Sequence, residues 1–205
     1  MKINLKELLA GPPARLRYVH RFSNCRVART ESVAEHSYYT TLYAIFLARW
    51  WTRNGHGQVD LARLLQKAIL HDAEEGLTGD INRGFKYSSD TLRRAIERAG
   101  EAAFCKVFEP VVGQSSDLEH LRAYWATAKD GTTEGKILAF ADFLSVLGYM
   151  WEEARAANRT LAEHASEMDK YIAIFGQEGW ENFRPLVEQA RIMLSQILAV
   201  EGFKA

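Results

Sequence analysis

Within the segment KAILHDAEEGLTGDINRGFKY, residues 67–87, an apolar helical pattern runs into His71, Asp72 and Glu75. At 3.6 residues per turn, Ala68, His71, Asp72 and Glu75 stand at i, i+3, i+4 and i+7. Leu61, Leu64 and Leu65 occupy the same face one or two turns earlier. Three ionisable groups thus continue a stripe that should face a core, where an unpaired charge is costly. A bound cation removes that cost, because imidazole nitrogen and carboxylate oxygen are both metal ligands. Taken alone, the same residues also fit a helix end paired with an arginine.

The elements that must position these groups read as helices throughout, with no strand-like alternation and no internal repeat. Asn4 to Ala10 carries a cap-like N-L-K-E start and stops at Gly11-Pro12-Pro13; a second short helix is expected from Ala14 to His20. Arg21 to Glu31 is irregular, and its Arg21, Arg26 and Arg29 are either solvated or an anion clamp. Ser32-Val33-Ala34-Glu35 is a capping box opening a long helix with inner stripe Val33, His36, Thr40, Tyr43, Leu47 and Trp50. Asp60 caps the central helix, which the periodicity carries to Gly76. Helices are expected from about Ser89 to Phe108, ended by Pro110, and from a capping box at Ser116–Glu119 to about Lys129. Thr132 or Thr133 starts the most apolar helix, and helices over about Leu161–Phe175 and Pro185–Val200 complete an all-α chain. Asp142 stands in the middle of ILAFADFLSVLGYMW. A core aspartate must meet a cation, and its own segment supplies no arginine before Arg155.

Composition narrows the class. The chain has 205 residues, enough for one well-cored domain over residues 1–205. Its 26 basic and 26 acidic side chains cancel, which argues against broad electrostatic binding to DNA, RNA or an anionic membrane. Cys25 and Cys105 form neither a CxxC pair nor a secreted framework and read as free thiols of a reducing compartment. No signal-peptide pattern is present, and the apolar run from Ile137 to Trp151 falls short of the roughly 20 residues a bilayer requires. The expected location is the cytoplasm.

Combined, His36 on one inner helical face, His71-Asp72 on a second and Asp142 deep in a third make a mixed nitrogen and oxygen set. Such a set suits one divalent transition metal with positions left open for water and substrate. The order H…HD…D is the signature of the HD-domain metal-dependent phosphohydrolases. RYVHRFSNCRVARTESVAEHS, LHDAEEGLTGDINRGFKY and FADFLSVLGYMWEE further resemble, in order and spacing, the bacterial 5′-deoxynucleotidases of the YfbR type. The motifs span Arg17 to Glu153, with the C-terminal helices, about residues 160–200, packing on that core.

The resemblance implies a single HD-domain helical bundle with His36, His71, Asp72 and Asp142 as ligands of Co, Mn, Fe, Ni or Zn. It makes Glu75 the catalytic carboxylate, Arg21 the phosphate-orienting arginine and Asp80 a substrate contact. Phe22, Arg83 and Lys86 join Arg21 and Asp80 around a nucleotide substrate. The implied reaction is hydrolysis of a (deoxy)nucleoside 5′-monophosphate. The alternatives are a triphosphate or diphosphorylated alarmone hydrolase on the same fold, or a non-catalytic HD regulatory module. Phe22 replaces the family's tryptophan, and Asp80-Ile81-Asn82-Arg83-Gly84 replaces a proline-containing run. The family also implies a homodimer, for which Tyr171, Phe175, Trp180 and Phe183 are candidate surface residues.

Overall fold

The computed structural model describes residues 3–158, 160 and 162–199. Among them ten α-helices follow one another: α1 Leu5–Ala10, α2 Val33–Arg53, α3 Leu61–Leu70, α4 Glu75–Thr78, α5 Arg83–Lys86, α6 Asp90–Val112, α7 Ser116–Ala126, α8 Thr133–Arg155, α9 Ala162–Phe175 and α10 Arg184–Ala199. Short 3₁₀ turns occupy Pro12–Arg17 and Glu181–Phe183. The only extended pairing among these residues is an isolated antiparallel bridge between His20 and Ser32. The fold is all-α, as the periodicity requires.

Local chemistry sets most helix starts. Ser32 Oγ accepts from the Glu35 amide while the Glu35 carboxylate accepts from the Ser32 amide, a complete capping box. Asp60 accepts from the Arg63 amide at 3.0 Å, and Thr132 Oγ1 accepts from Gly135 at 3.1 Å.

Several boundaries depart from the sequence reading. Pro12–Arg17, rather than Ala14–His20, forms the second turn. The cap of α7 is Ser115 instead of Ser116. Helix α6 runs through Pro110 to Val112 and stops at Gly113, whose φ of 71° favours glycine. The missing proline donor falls near the helix end, where buried Val111 packs and its carbonyl accepts from Asn4 at 2.8 Å. The central helix stops at Leu70, six residues before Gly76. Tight turns follow, with the amides of Ala73, Glu75 and Leu77 donating to carbonyls three residues back. Leu64 and Ala68 are buried as expected, but Leu61 is exposed.

Helix α8 is the central pillar. Ile137, Leu138, Phe140, Ala141, Leu147 and Met150 on it have no exposed surface, and α2, α3, α9 and α10 pack around them. Each such side chain contributes roughly 1.5–3 kcal/mol by burial. A charge also reaches this interior: Lys67 is wholly buried, with Nζ 2.8 Å from Asp130 and 3.3 Å from Thr132 Oγ1. The pair ties α3 to the turn before α8, holding together the two elements that carry His71 and Asp142.

The C-terminal aromatics are core. Phe175 and Phe183 are 4% and 1% exposed, and Tyr171 and Trp180 pack against the same cluster. They do not form the exposed surface expected of them. Aromatic runs bury far more area than they expose. No described helix is long and apolar enough to cross a membrane.

Candidate active site

His36, one turn into α2, and His71, just past α3, bring their rings to a centroid distance of 5.3 Å. Ligand atoms of His36, His71 and Asp142 all lie within 4.8 Å of one another. Asp142 Oδ1 is 2.9 Å from His36 Nε2 and 3.9 Å from His71 Nε2. Asp72 is not part of that tight trio, but its Oδ2 lies 3.0 Å from His71 Nε2 and 3.6 Å from His36 Nε2.

Both Nε2 atoms are buried and, despite these neighbours, lack an aligned hydrogen bond. The opposite ring nitrogens have partners. His71 Nδ1 is 2.8 Å from the Ala68 carbonyl, which can only accept, so the proton sits on Nδ1 and Nε2 keeps its lone pair. His36 Nδ1 lies 3.0 Å from Ser145 Oγ and 2.6 Å from Arg21 Nη1, which can only donate, so Nδ1 accepts and the His36 proton sits on Nε2, facing Asp142. Two buried imidazole Nε2 atoms beside two carboxylates fit a divalent metal that would take the place of the His36 proton.

The loop 21–31 brings Arg21 to this cluster. The Arg21 amide donates to the Glu31 carbonyl and the Val33 amide to the Val19 carbonyl, closing the neck of the loop. Its far side is fastened to α8: buried Glu153 accepts from the amides of Ala28 and Arg29 at 2.7 and 2.9 Å, and Tyr149 Oη donates to the Arg29 carbonyl at 2.6 Å. Arg21 then sits 3.0 Å from Glu31 and 2.6 Å from His36 Nδ1. Glu153→Gln replaces one acceptor oxygen by a donor facing an amide. It is expected to destabilise the fold by about 2 kcal/mol, checked by urea unfolding with an unchanged m-value.

Phe22 follows with φ 54°, a conformation rare for a bulky side chain and characteristic of constrained sites. Asp80 Oδ2 accepts its amide at 3.3 Å, and its ring stacks on Tyr149 at 5.2 Å. Asp80 therefore helps hold the strained turn as well as facing the cavity. Arg21, Phe22, Asp80, Arg83 and Tyr171 line this cavity of about 140 Å³. A larger one of about 720 Å³, lined by His71, Asp72, Glu75, Lys86 and Lys129, adjoins it at Ile81.

The electrostatics match the crowding. Burial, followed by the charges of Asp72, Asp80 and Glu74, pushes the Glu75 carboxyl well above its usual range, and Glu75 Oε2 is buried without a hydrogen bond. Burial and Asp72 push Glu74 up to about 7, although Trp125 Nε1 donates to it at 2.5 Å. Burial, then Arg21, lowers His36 to about 4. Burial opposes the charges of Asp72 and Asp142, yet His71 holds the first and Lys129 the second below the ordinary aspartate value.

Lys129 was invisible as a partner in the sequence. Its Nζ is 2.5 Å from Asp142 Oδ2, so a lysine on the turn after α7 supplies a cation where the sequence reading looked to a bound metal. The thirteen-residue separation spans a turn and carries no periodic signal. Arg29, conversely, takes no part in an anion clamp: it pairs at the surface with Glu35 at 3.1 Å and Glu152 at 2.8 Å. Glu31, Ser145 and Glu153 are supporting residues that sequence reasoning missed, and only their burial identifies them.

Comparison with known proteins places these features in context. A family described as 5′-deoxynucleotidase YfbR-like matches residues 13–187. A 5′-deoxynucleotidase of Photorhabdus laumondii is 30% identical over 174 residues, covering 79% of this chain and 87% of its own length. One from Citrobacter koseri is 31% identical over 180 residues, covering 79% and 86%. The crystal structure of an HD-domain phosphohydrolase from Listeria innocua is similar with a TM-score of 0.73 at 26% identity, covering 94% of this chain and 89% of that one. A Pyrococcus horikoshii protein, 18% identical with a TM-score of 0.72 and coverage of 93% and 99%, shares the fold.

Proposed function

The chain belongs to the YfbR-like 5′-deoxynucleotidase family, and on that premise we propose that it hydrolyses nucleoside 5′-monophosphates. Water adds to phosphorus, the bond from phosphorus to the 5′ oxygen breaks, and nucleoside and inorganic phosphate leave. The observation that carries this reading is the pair of unpartnered imidazole nitrogens facing two aspartates, with Arg21 touching the same cluster.

His36, His71, Asp72 and Asp142 would hold one divalent transition metal, with Co, Mn, Fe, Ni and Zn all compatible with the donor set. Such an ion supplies Lewis-acid polarisation and lowers the pKa of water. Glu75, whose surroundings favour taking up a proton, removes one from the attacking water and returns it to the departing sugar oxygen. Arg21 stays charged beside Glu31, Asp142 and Asp72 and neutralises phosphoryl oxygens. Lys86 adds a point charge on the wall of the larger cavity. Phe22 and Asp80 flank the sugar. The same reading makes the enzyme a cytoplasmic homodimer.

A phosphate-release screen over nucleoside mono-, di- and triphosphates with each metal tests this. Monophosphates are expected to dominate, with deoxy forms preferred by only about tenfold, since an apolar ring is a weak sieve against one hydroxyl. In the same screen Arg21→Ala should slow every monophosphate by a similar factor, whereas Phe22→Ala should erode the deoxy preference. Release from triphosphates alone would refute the proposed reaction.

A further inference from the structure

Arg83 lines the smaller cavity together with Arg21, and it has no carboxylate partner among the described residues. Asn82 caps the short α5 helix by accepting from Phe85 at 3.2 Å, which places Arg83 at its first position. The guanidinium carbon lies 4.5 Å from the Tyr87 ring centroid and 4.2 Å from that of Tyr171. Two aromatic rings against a planar cation hold its orientation and leave hydrogen bonding to the in-plane N–H edge. The cavity that Arg83 and Arg21 share has apolar walls at Phe22, Ile81, Val146 and Met168 and polar ones at Asn24, Asp80 and Asn82.

We propose that Arg83 reads the base of the substrate and biases the enzyme toward nucleotides whose base presents the paired O6 and N7 acceptors of guanine or hypoxanthine. The inference rests on the nucleotide monophosphate reading. With the phosphate at Arg21, the sugar and base extend into the shared cavity and the distal base edge meets Arg83. A rigid guanidinium edge offers two parallel donors, and guanine O6 and N7 are the matching acceptors. Adenine places a donor next to N7. Cytosine has adjacent acceptors too, but its O2 is held against the sugar and away from the distal end. The cationic edge is thus a selector among bases.

The test compares dGMP, dIMP, dAMP, dCMP and 7-deaza-dGMP as substrates for wild type, Arg83→Ala and Arg83→Lys. Binding of deoxyguanosine and deoxyadenosine without phosphate is followed by calorimetry in parallel. Wild type should favour dGMP and dIMP over dAMP by about tenfold in kcat/KM, and 7-deaza-dGMP should lose most of that advantage. Arg83→Ala should bring the ratio to near unity, and Arg83→Lys should keep only part of it. Arg83→Lys keeps the charge and exchanges the fixed planar edge for a point charge, which separates charge from edge geometry. An unchanged ratio in Arg83→Ala overturns the proposal. A uniform loss across all bases also overturns it, by making Arg83 a phosphate contact, and a preference for dCMP does so by placing the wrong edge at Arg83. If no monophosphate is turned over while deoxyguanosine still binds better than deoxyadenosine in an Arg83-dependent way, the proposed reaction fails and the base-reading role stands.

Discussion

Glu75→Gln is expected to lower kcat by about 10²-fold or more while leaving metal content and unfolding midpoint near those of wild type. The magnitude follows from losing a positioned proton acceptor. Glutamine retains the shape and removes only the basic oxygen. The carboxyl begins α4, immediately after the turn that carries His71 and Asp72, and faces the same cavity. Burial and three neighbouring carboxylates raise its proton affinity above that of an ordinary glutamate, which favours its taking a proton from water. Removing that charge also relieves repulsion with Asp72, Asp80 and Glu74, so stability should be equal or slightly higher. Steady-state rates, metal analysis and urea unfolding on one preparation check the three parts together. Wild-type turnover in a folded, metal-loaded variant would assign the proton transfer to another group.

Asp72→Ala and His71→Ala are each expected to weaken metal binding by about a hundredfold or more. Loss of orienting neighbours alone is worth roughly 10- to 100-fold. The direct readout is metal content after dialysis. A second is thermal: metal at about 100 times its dissociation constant should stabilise wild type by about 2.7 kcal/mol and either variant by no more than about 0.4 kcal/mol. Asp142→Asn provides a separate comparison, because it also takes the carboxylate from Lys129, 2.5 Å away. Its unfolding midpoint should fall even in metal-free buffer. Equal metal content in wild type and Asp72→Ala would remove Asp72 from the ligand set. Its position outside the tight trio of His36, His71 and Asp142 makes that measurement decisive.

Much of this arrangement was legible in the sequence because it depends on local rules. The Ser32 and Asp60 caps fix helix starts, and His36 lies on a face that only a buried role explains. Asp142 within an apolar helix announces a charged partner somewhere. Which partner it was could not be read, since Lys129 approaches through a turn that has no period. The end of α3 was misplaced for a related reason. Tight turns after Leu70 advance the chain by about the spacing of a helix, so periodicity continues where the helix does not. Arg29 and Arg21 have the same chemistry and neighbouring positions. Only the fastening of the loop by Glu153 and Tyr149 decides that Arg21 enters the site while Arg29 pairs at the surface.

Gly76 follows Glu75 and packs so closely on the 3₁₀ turn at Pro12–Arg17 that a Cβ there would lie 2.8 Å from the Pro12 carbonyl oxygen. For anyone preparing the protein, this makes the amino-terminal end a poor place for a bulky fusion. A load that pulls on residues 12–17 acts on the backbone next to Glu75, some sixty positions along the chain. Its first symptom would be a slow enzyme with a normal melting curve, easily mistaken for a poor substrate.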